Sequence, residues 1–182
     1  MSTSNFIGRG LAICAVAASI LSINSFSVQA DTSKKDIQIA SKALNFMVPK
    51  VTGIAEVAIV FDPKNPASIA EADQIISIIG SGLKVGKVKL SARKVSSDVL
   101  DFSESKMVIL TSGTTAIQGK VKAAADSAGL LTVSTDETCV ASANCVMGVK
   151  SKPKVQITIN LSATSAAGIK FSPAFKMMVN KI

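Results

Sequence analysis

The chain has 182 residues, 48% apolar and 18% charged, which is enough for one domain of ordinary size and too hydrophobic for a disordered segment. His, Trp and Tyr are absent, so the commonest general base and metal ligand are missing, along with most stacking platforms for bases or sugars. A net charge of +8 would suggest nucleic acid as the partner of an intracellular protein, but the export signal described next and the lack of interleaved aromatics argue against it. The lysines are scattered, with a local cluster only at Lys150, Lys152 and Lys154. They read as a solvated surface, with attraction to an acidic protein face or to anionic lipid as the sharper alternative.

Residues 1–30 have the organisation of a secretory signal peptide. Arg9 supplies the positive start, residues 11–23 are a weakly polar-to-apolar run, and Val28 and Ala30 put small residues at the recognition positions of a cleavage site. The apolar run of 13 residues is too short to span a bilayer. Large Ile13 before Cys14, and the apolar run continuing beyond it, disfavour a lipoprotein. Cleavage after Ala30 leaves residues 31–182, with a net charge of +7 once Arg9 is lost, and Cys139 and Cys145 as the cysteines. An even count in an oxidising compartment favours a disulfide. A structural staple, a redox-responsive switch and two free thiols remain the readings of that pair.

In chain order, residues 31–35 are a polar lead-in. Ile37, Ala40, Leu44 and Met47 recur at helical steps over residues 36–48, and Pro49 ends that helix. Val57 to Phe61 is a continuous apolar run, as in a strand buried on both faces. Asn65 caps a helix with Pro66 at its first position; Ile69, Ala72, Ile75, Ile76 and Ile79 line one side before Gly80. Residues 85–95 alternate as a more exposed, edge-like strand, and residues 96–105 are a polar loop. Met107 to Leu110 is a second buried strand, feeding a helix over residues 116–128, and Leu130 to Ser134 a third. Residues 135–144 read as a loop. Residues 145–149 and 155–161 form a hairpin, with Gln156, Thr158 and Asn160 on its outward face. A small-residue helical turn over residues 162–167 follows. Ser172 and Pro173 then start a final helix anchored by Phe175, Met178 and Val179. The pattern predicts an α/β fold in three layers, a mostly parallel sheet with an added C-terminal antiparallel hairpin.

For catalysis the chain offers serines without a histidine and no acid pair with a reason to be close, so no enzyme and no cofactor or metal is expected. Thr111 to Thr115 joins a strand to a helix, a corner that binds anions when its N–H groups are free and otherwise caps the helix. Asp62 ends a strand on the same side of the sheet. With Ser112, Thr114 and Ser134 it defines a candidate ligand cleft, since ligands of α/β sheets bind at that edge. Phe171, Phe175, Met177 and Met178 form an apolar group that packs in the core by default and, where exposed, marks a candidate partner face.

The run from Val155 to Met178 resembles the closing segment of the YfiR-like family. The matching features are an alternating strand ending Ile159-Asn160, then Ala166-Ala167-Gly168-Ile169, then Phe171-Ser172 opening a helix. Residues 131–134 fit the strand before that family's variable loop, while Asn144-Cys145 stands where its Gly-Gly is expected. The resemblance implies one YfiR-like domain over residues 31–182 in a periplasmic, non-catalytic regulator. Such a protein would bind and inhibit the periplasmic part of a membrane-bound signalling protein of the diguanylate cyclase type, tuning cyclic-di-GMP signalling and biofilm behaviour. Cys139 and Cys145 would hold the start of the hairpin. A homodimer stays open, and the alternative is a periplasmic solute-binding protein serving a transporter.

Overall fold

Nine residues, Gly53–Phe61 (β1), form the strand on which the sheet is built. Its side chains alternate between two cores: Ala55, Val57 and Ile59 enter one, Ala58 and Val60 the other. Both faces are covered, which is why the sequence reads as an unbroken apolar run. The structure, a computed structural model, describes residues 32–182; the signal-peptide reading of residues 1–30 lies outside them.

Ser33 caps α1 (Lys34–Ala43) in a reciprocal capping box with Asp36, and a 3-10 turn, Leu44–Phe46, follows. After β1, Asn65 accepts from the N–H groups of Ala67 and Ser68 to start α2 (Pro66–Ile79). Then come β2 (Leu83–Val85), β3 (Val88–Ser96) and β4 (Ser105–Leu110). A 3-10 turn over Thr115–Ile117 leads into α3 (Gln118–Ser127), followed by β5 (Leu131–Ser134) and α4 (Glu137–Ala141). The chain closes with β6 (Met147–Lys150), β7 (Gln156–Ile159), α5 (Leu161–Ala166), α6 (Pro173–Met178) and β8 (Asn180–Lys181).

The eight strands lie in the order β2-β3-β1-β4-β5-β6-β7-β8. The block β3-β1-β4-β5-β6 is parallel, β2 is antiparallel to β3, β7 antiparallel to β6, and β8 parallel to β7. On one face Ile37, Ala40 and Leu44, together with Ala72, Ile75 and Ile79 of α2, pack over Val57, Ile59, Met107 and Ile109. On the other, Val121 and Ala125 of α3 and Val140 of α4 cover Ala58, Val60, Val108 and Leu110. The expected three-layer, mostly parallel α/β sheet with a C-terminal antiparallel hairpin is what forms.

Three local expectations differ. Residues 135–144 are not all loop: Asp136 accepts from the Thr138 N–H at 2.9 Å and starts α4. Asn160 is not on an outward face but 7% exposed. It lies past the end of β7, where its Oδ1 accepts from the Ala163 N–H at 3.0 Å and its amide donates to the Val140 carbonyl at 2.9 Å, joining α5 to α4. Finally, β2 and β8 are sheet strands that the sequence pattern does not announce, and β2 makes β3 an interior strand instead of the expected edge.

Candidate functional site

The parallel strands run outward from β1 in both directions, so the chain reverses between β1 and β4, and the crevice of such a sheet opens at their carboxyl ends. Asp62 and Ser112 lie just past those two strands and Ser134 ends β5, so the fold brings the predicted cleft residues to one edge. The structure also shows where their polar groups go. Asp62 Oδ1 accepts from the Lys64 N–H at 2.9 Å, and its own N–H donates to Ser68 Oγ at 2.8 Å. Ser68 is hydrogen-bonded to Thr111 at 2.6 Å, and the Thr111 hydroxyl donates to the Val60 carbonyl at 3.0 Å. The buried Thr114 hydroxyl donates to the Thr111 carbonyl at 2.7 Å and caps nothing. Ser134 Oγ donates to the Leu110 carbonyl at 3.4 Å and accepts from the Asp136 N–H at 3.1 Å. These contacts hold the corner rigid.

The residue that sequence reasoning missed is Glu71. It is 1% exposed, and one carboxylate oxygen accepts from the Ser112 N–H at 2.6 Å while the other accepts from the Thr32 N–H at 3.0 Å. The backbone donor that this corner would turn toward an anion therefore meets a carboxylate of the same chain. Thr32 is held further by Gln74, whose amide donates to its carbonyl at 3.2 Å, and by the Thr135 hydroxyl at 3.4 Å. Residues 32–33 thus lie across the crevice as a strap. Beneath it a cavity of about 10 Å³ is lined by Thr32, Asp36, Ser134, Thr135 and apolar neighbours, a volume that suits one water molecule. The signal for Glu71 was present: Ser68, Glu71, Ala72, Ile75 and Ile79 share the helical spacing of a buried face.

Beside the strap, Asp136 caps α4. Partial burial raises its pKa, but hydrogen bonds from the Thr138 hydroxyl and N–H, the Gln118 amide and the Cys139 N–H outweigh this and hold the carboxyl below the usual aspartate range. The Cys139–Cys145 disulfide spans six positions and ties α4 to the segment entering β6; both residues are fully buried. Among the described residues no group of three or more His, Cys, Asp or Glu is placed to hold a metal ion, and no helix is long and apolar enough to cross a membrane.

The apolar C-terminal group divides. Phe171 and Phe175 are 4% and 3% exposed, and Phe175 stacks on Phe46 with ring centroids 5.3 Å apart. Met177 and Met178 are 81% and 63% exposed: Met177, two positions beyond the inward Phe175, falls on the opposite side of α6, and Met178 is the last residue of that short helix. Leu161 and Ile182 are also half-exposed and adjoin each other, the Leu161 N–H donating to the Ile182 carbonyl at 2.9 Å.

No curated protein matches the chain in sequence at a significant level. Several solved structures share the fold, two of which illustrate it. One is the ABC domain in complex with L-Trp from Streptococcus pneumonia, at 11% identity and a TM-score of 0.54 over 80% of this chain and 60% of that one. The other is a conserved domain protein from Vibrio cholerae O1 biovar El Tor, at 12% identity and a TM-score of 0.54 over 80% of this chain and 59% of that one. The chain thus spans about 60% of the length of each. Residues 67–177, more than half of the chain, match the YfiR/HmsC-like family model, and the protein belongs to the YfiR/HmsC-like family.

Proposed function

We propose that this protein is a periplasmic, non-catalytic regulator in which residues 31–182 act as one domain that docks on the periplasmic part of a membrane-bound signalling protein, of the diguanylate cyclase type, and inhibits it. Family membership supports a regulatory role. The structural observation that carries the docking reading is the exposed apolar group of Met177, Met178, Leu161 and Ile182 beside the β8 edge. Single exposed apolar residues are ordinary, but two successive exposed methionines, with an adjoining pair of exposed aliphatics at the end of the chain's last strand, suit a protein partner. The test is binding of the purified protein to the isolated periplasmic domain of a diguanylate cyclase from the same cell, with cyclase output measured in membranes. Met177→Asp with Met178→Asp is expected to weaken binding at least tenfold and to release the cyclase without changing the unfolding midpoint. Unchanged binding by the folded variant would refute this face.

A second reading has one observation in its favour: the fold is shared with a structure described in complex with L-Trp. A small solute would enter at the β1/β4 crevice after residues 32–33 leave Glu71. Native mass spectrometry of protein isolated from cells tests it, and a bare polypeptide mass counts against it.

A further inference from the structure

The edge of the sheet opposite the crevice, where the parallel strands begin, has a surface of its own. Lys87 occupies the β2–β3 turn, and its carbonyl accepts from the Gly53 N–H at 3.1 Å. Lys84 and Lys89 stand directly across from each other, and Lys89 is also the register neighbour of Ile54. Lys106 lies at the start of β4 and lines a groove of about 440 Å³ together with Val51 and Leu130. Lys50 adjoins Val51, and the Lys170 carbonyl accepts from the Val48 N–H at 2.7 Å. All six lysines are exposed, and none enters an ion pair among the described residues. The acids at this end are largely engaged: Glu56 and Asp101 share Arg93, and Asp126 pairs with Lys122, leaving exposed Glu104. Between the lysines, Ile54 is 73% and Val48 55% exposed.

The kind of cation decides what such a face meets. Protein interfaces are enriched in Arg and aromatics and depleted in Lys. Here the cations outside ion pairs are all lysines, and among the described residues no aromatic side chain is exposed. Lysine is a hydrated point charge on a flexible stem with no fixed fork for a carboxylate, suited to the diffuse field of a phosphate-covered surface. Exposed aliphatics among such lysines add the second signal that stable adsorption needs. We propose that the amino-terminal edge of the sheet is a docking surface for an anionic phospholipid bilayer. This goes beyond docking on a signalling protein and does not depend on it.

The test is sedimentation of the purified mature protein with vesicles of phosphatidylcholine, with and without phosphatidylglycerol, at low and high salt. Binding is expected only to the phosphatidylglycerol vesicles and should fall as salt rises. Replacing Lys87→Glu, Lys89→Glu and Lys106→Glu together should lower partitioning at least tenfold. The matched control, Lys34→Glu, Lys152→Glu and Lys154→Glu, places the same charge change away from this edge and should keep most of the binding. Circular dichroism confirms that both variants fold. No partitioning to phosphatidylglycerol, equal loss in both variants, or binding indifferent to salt would each overturn the proposal. Because no signalling protein is present, the result is separate from the fate of the partner-docking reading.

Discussion

Gly148 tests the packing argument most directly. It lies in β6, paired with Thr158 and Ser134, and its φ is not positive, so alanine brings no backbone strain there. What alanine brings is contact: its Cβ would lie 2.8 Å from Val140 Cγ2, against 3.4 Å for the onset of ordinary contact. One side must therefore give by about 0.6 Å. Val140 is 2% exposed, and α4 cannot slide freely, since the disulfide holds Cys139 and the Asn160 amide holds the Val140 carbonyl. Overpacking a fixed site of this kind costs about 1–3 kcal/mol, so Gly148→Ala is expected to destabilise by about 2 kcal/mol. Val140→Ala alone removes two buried methyl groups and should cost about 2–3 kcal/mol. In the double variant the smaller side chain makes room for the new methyl, so the two costs should overlap by about 1–2 kcal/mol. Urea unfolding of all three variants with the disulfide intact measures this, through the midpoint at constant slope. A Gly148→Ala cost below about 0.5 kcal/mol, or strict additivity in the double variant, would refute the close approach of α4 to β6.

Glu71→Gln keeps the shape but leaves one of two backbone donors without an oxygen, so a loss of about 2 kcal/mol is expected. Hydrogen exchange at the Thr32 and Ser112 amides should accelerate, and unchanged protection would count against the strap. Asp136 is held below its ordinary pKa, so its contribution to folding is complete above about 3.9 and fades as pH falls through the lower folded value. The stability gap between the wild type and Asp136→Asn should therefore narrow only below that pH; a gap constant with pH would exclude the ionised cap. Replacing Cys139 and Cys145 together by Ala should cost about 2 kcal/mol, the chain-entropy value for so short a loop. Equal unfolding midpoints with and without the bridge would show that it adds no stability.

Much of the fold was readable because its signals are local or periodic. The strands β1, β4 and β5 announce themselves as continuous apolar runs since both faces are covered, and Asn65-Pro66 marks the start of α2 by side-chain chemistry alone. The missed elements depend on distant partners. Leu83–Val85 is a strand only because β3 lies alongside, and the two residues of β8 pair only because β7 is already in place. Residues 135–144 looked like loop because their polar start hides a capped turn whose inward side chains are a cysteine and one valine. At the crevice, sequence places Asp62, Ser112, Thr114 and Ser134 near strand ends. That Glu71 fills the corner from α2 is a tertiary fact, visible beforehand only as a charged residue on a buried helical face.

The strand order has a consequence for how the molecule is made. From β4 onward the sheet is laid down in the order of synthesis, each strand bonding to the one before it as far as β8. A polypeptide delivered amino end first, from a ribosome or a secretion channel, presents every late strand to a neighbour that is already there. Only the first crossover, β1 to β3 and back to β4, requires the chain to double past its own beginning. Loop closure is the slow part of assembling such sheets. The costly step therefore falls early, and the carboxyl-terminal half can accrete one segment at a time, with little interval in which a bare strand edge meets another molecule.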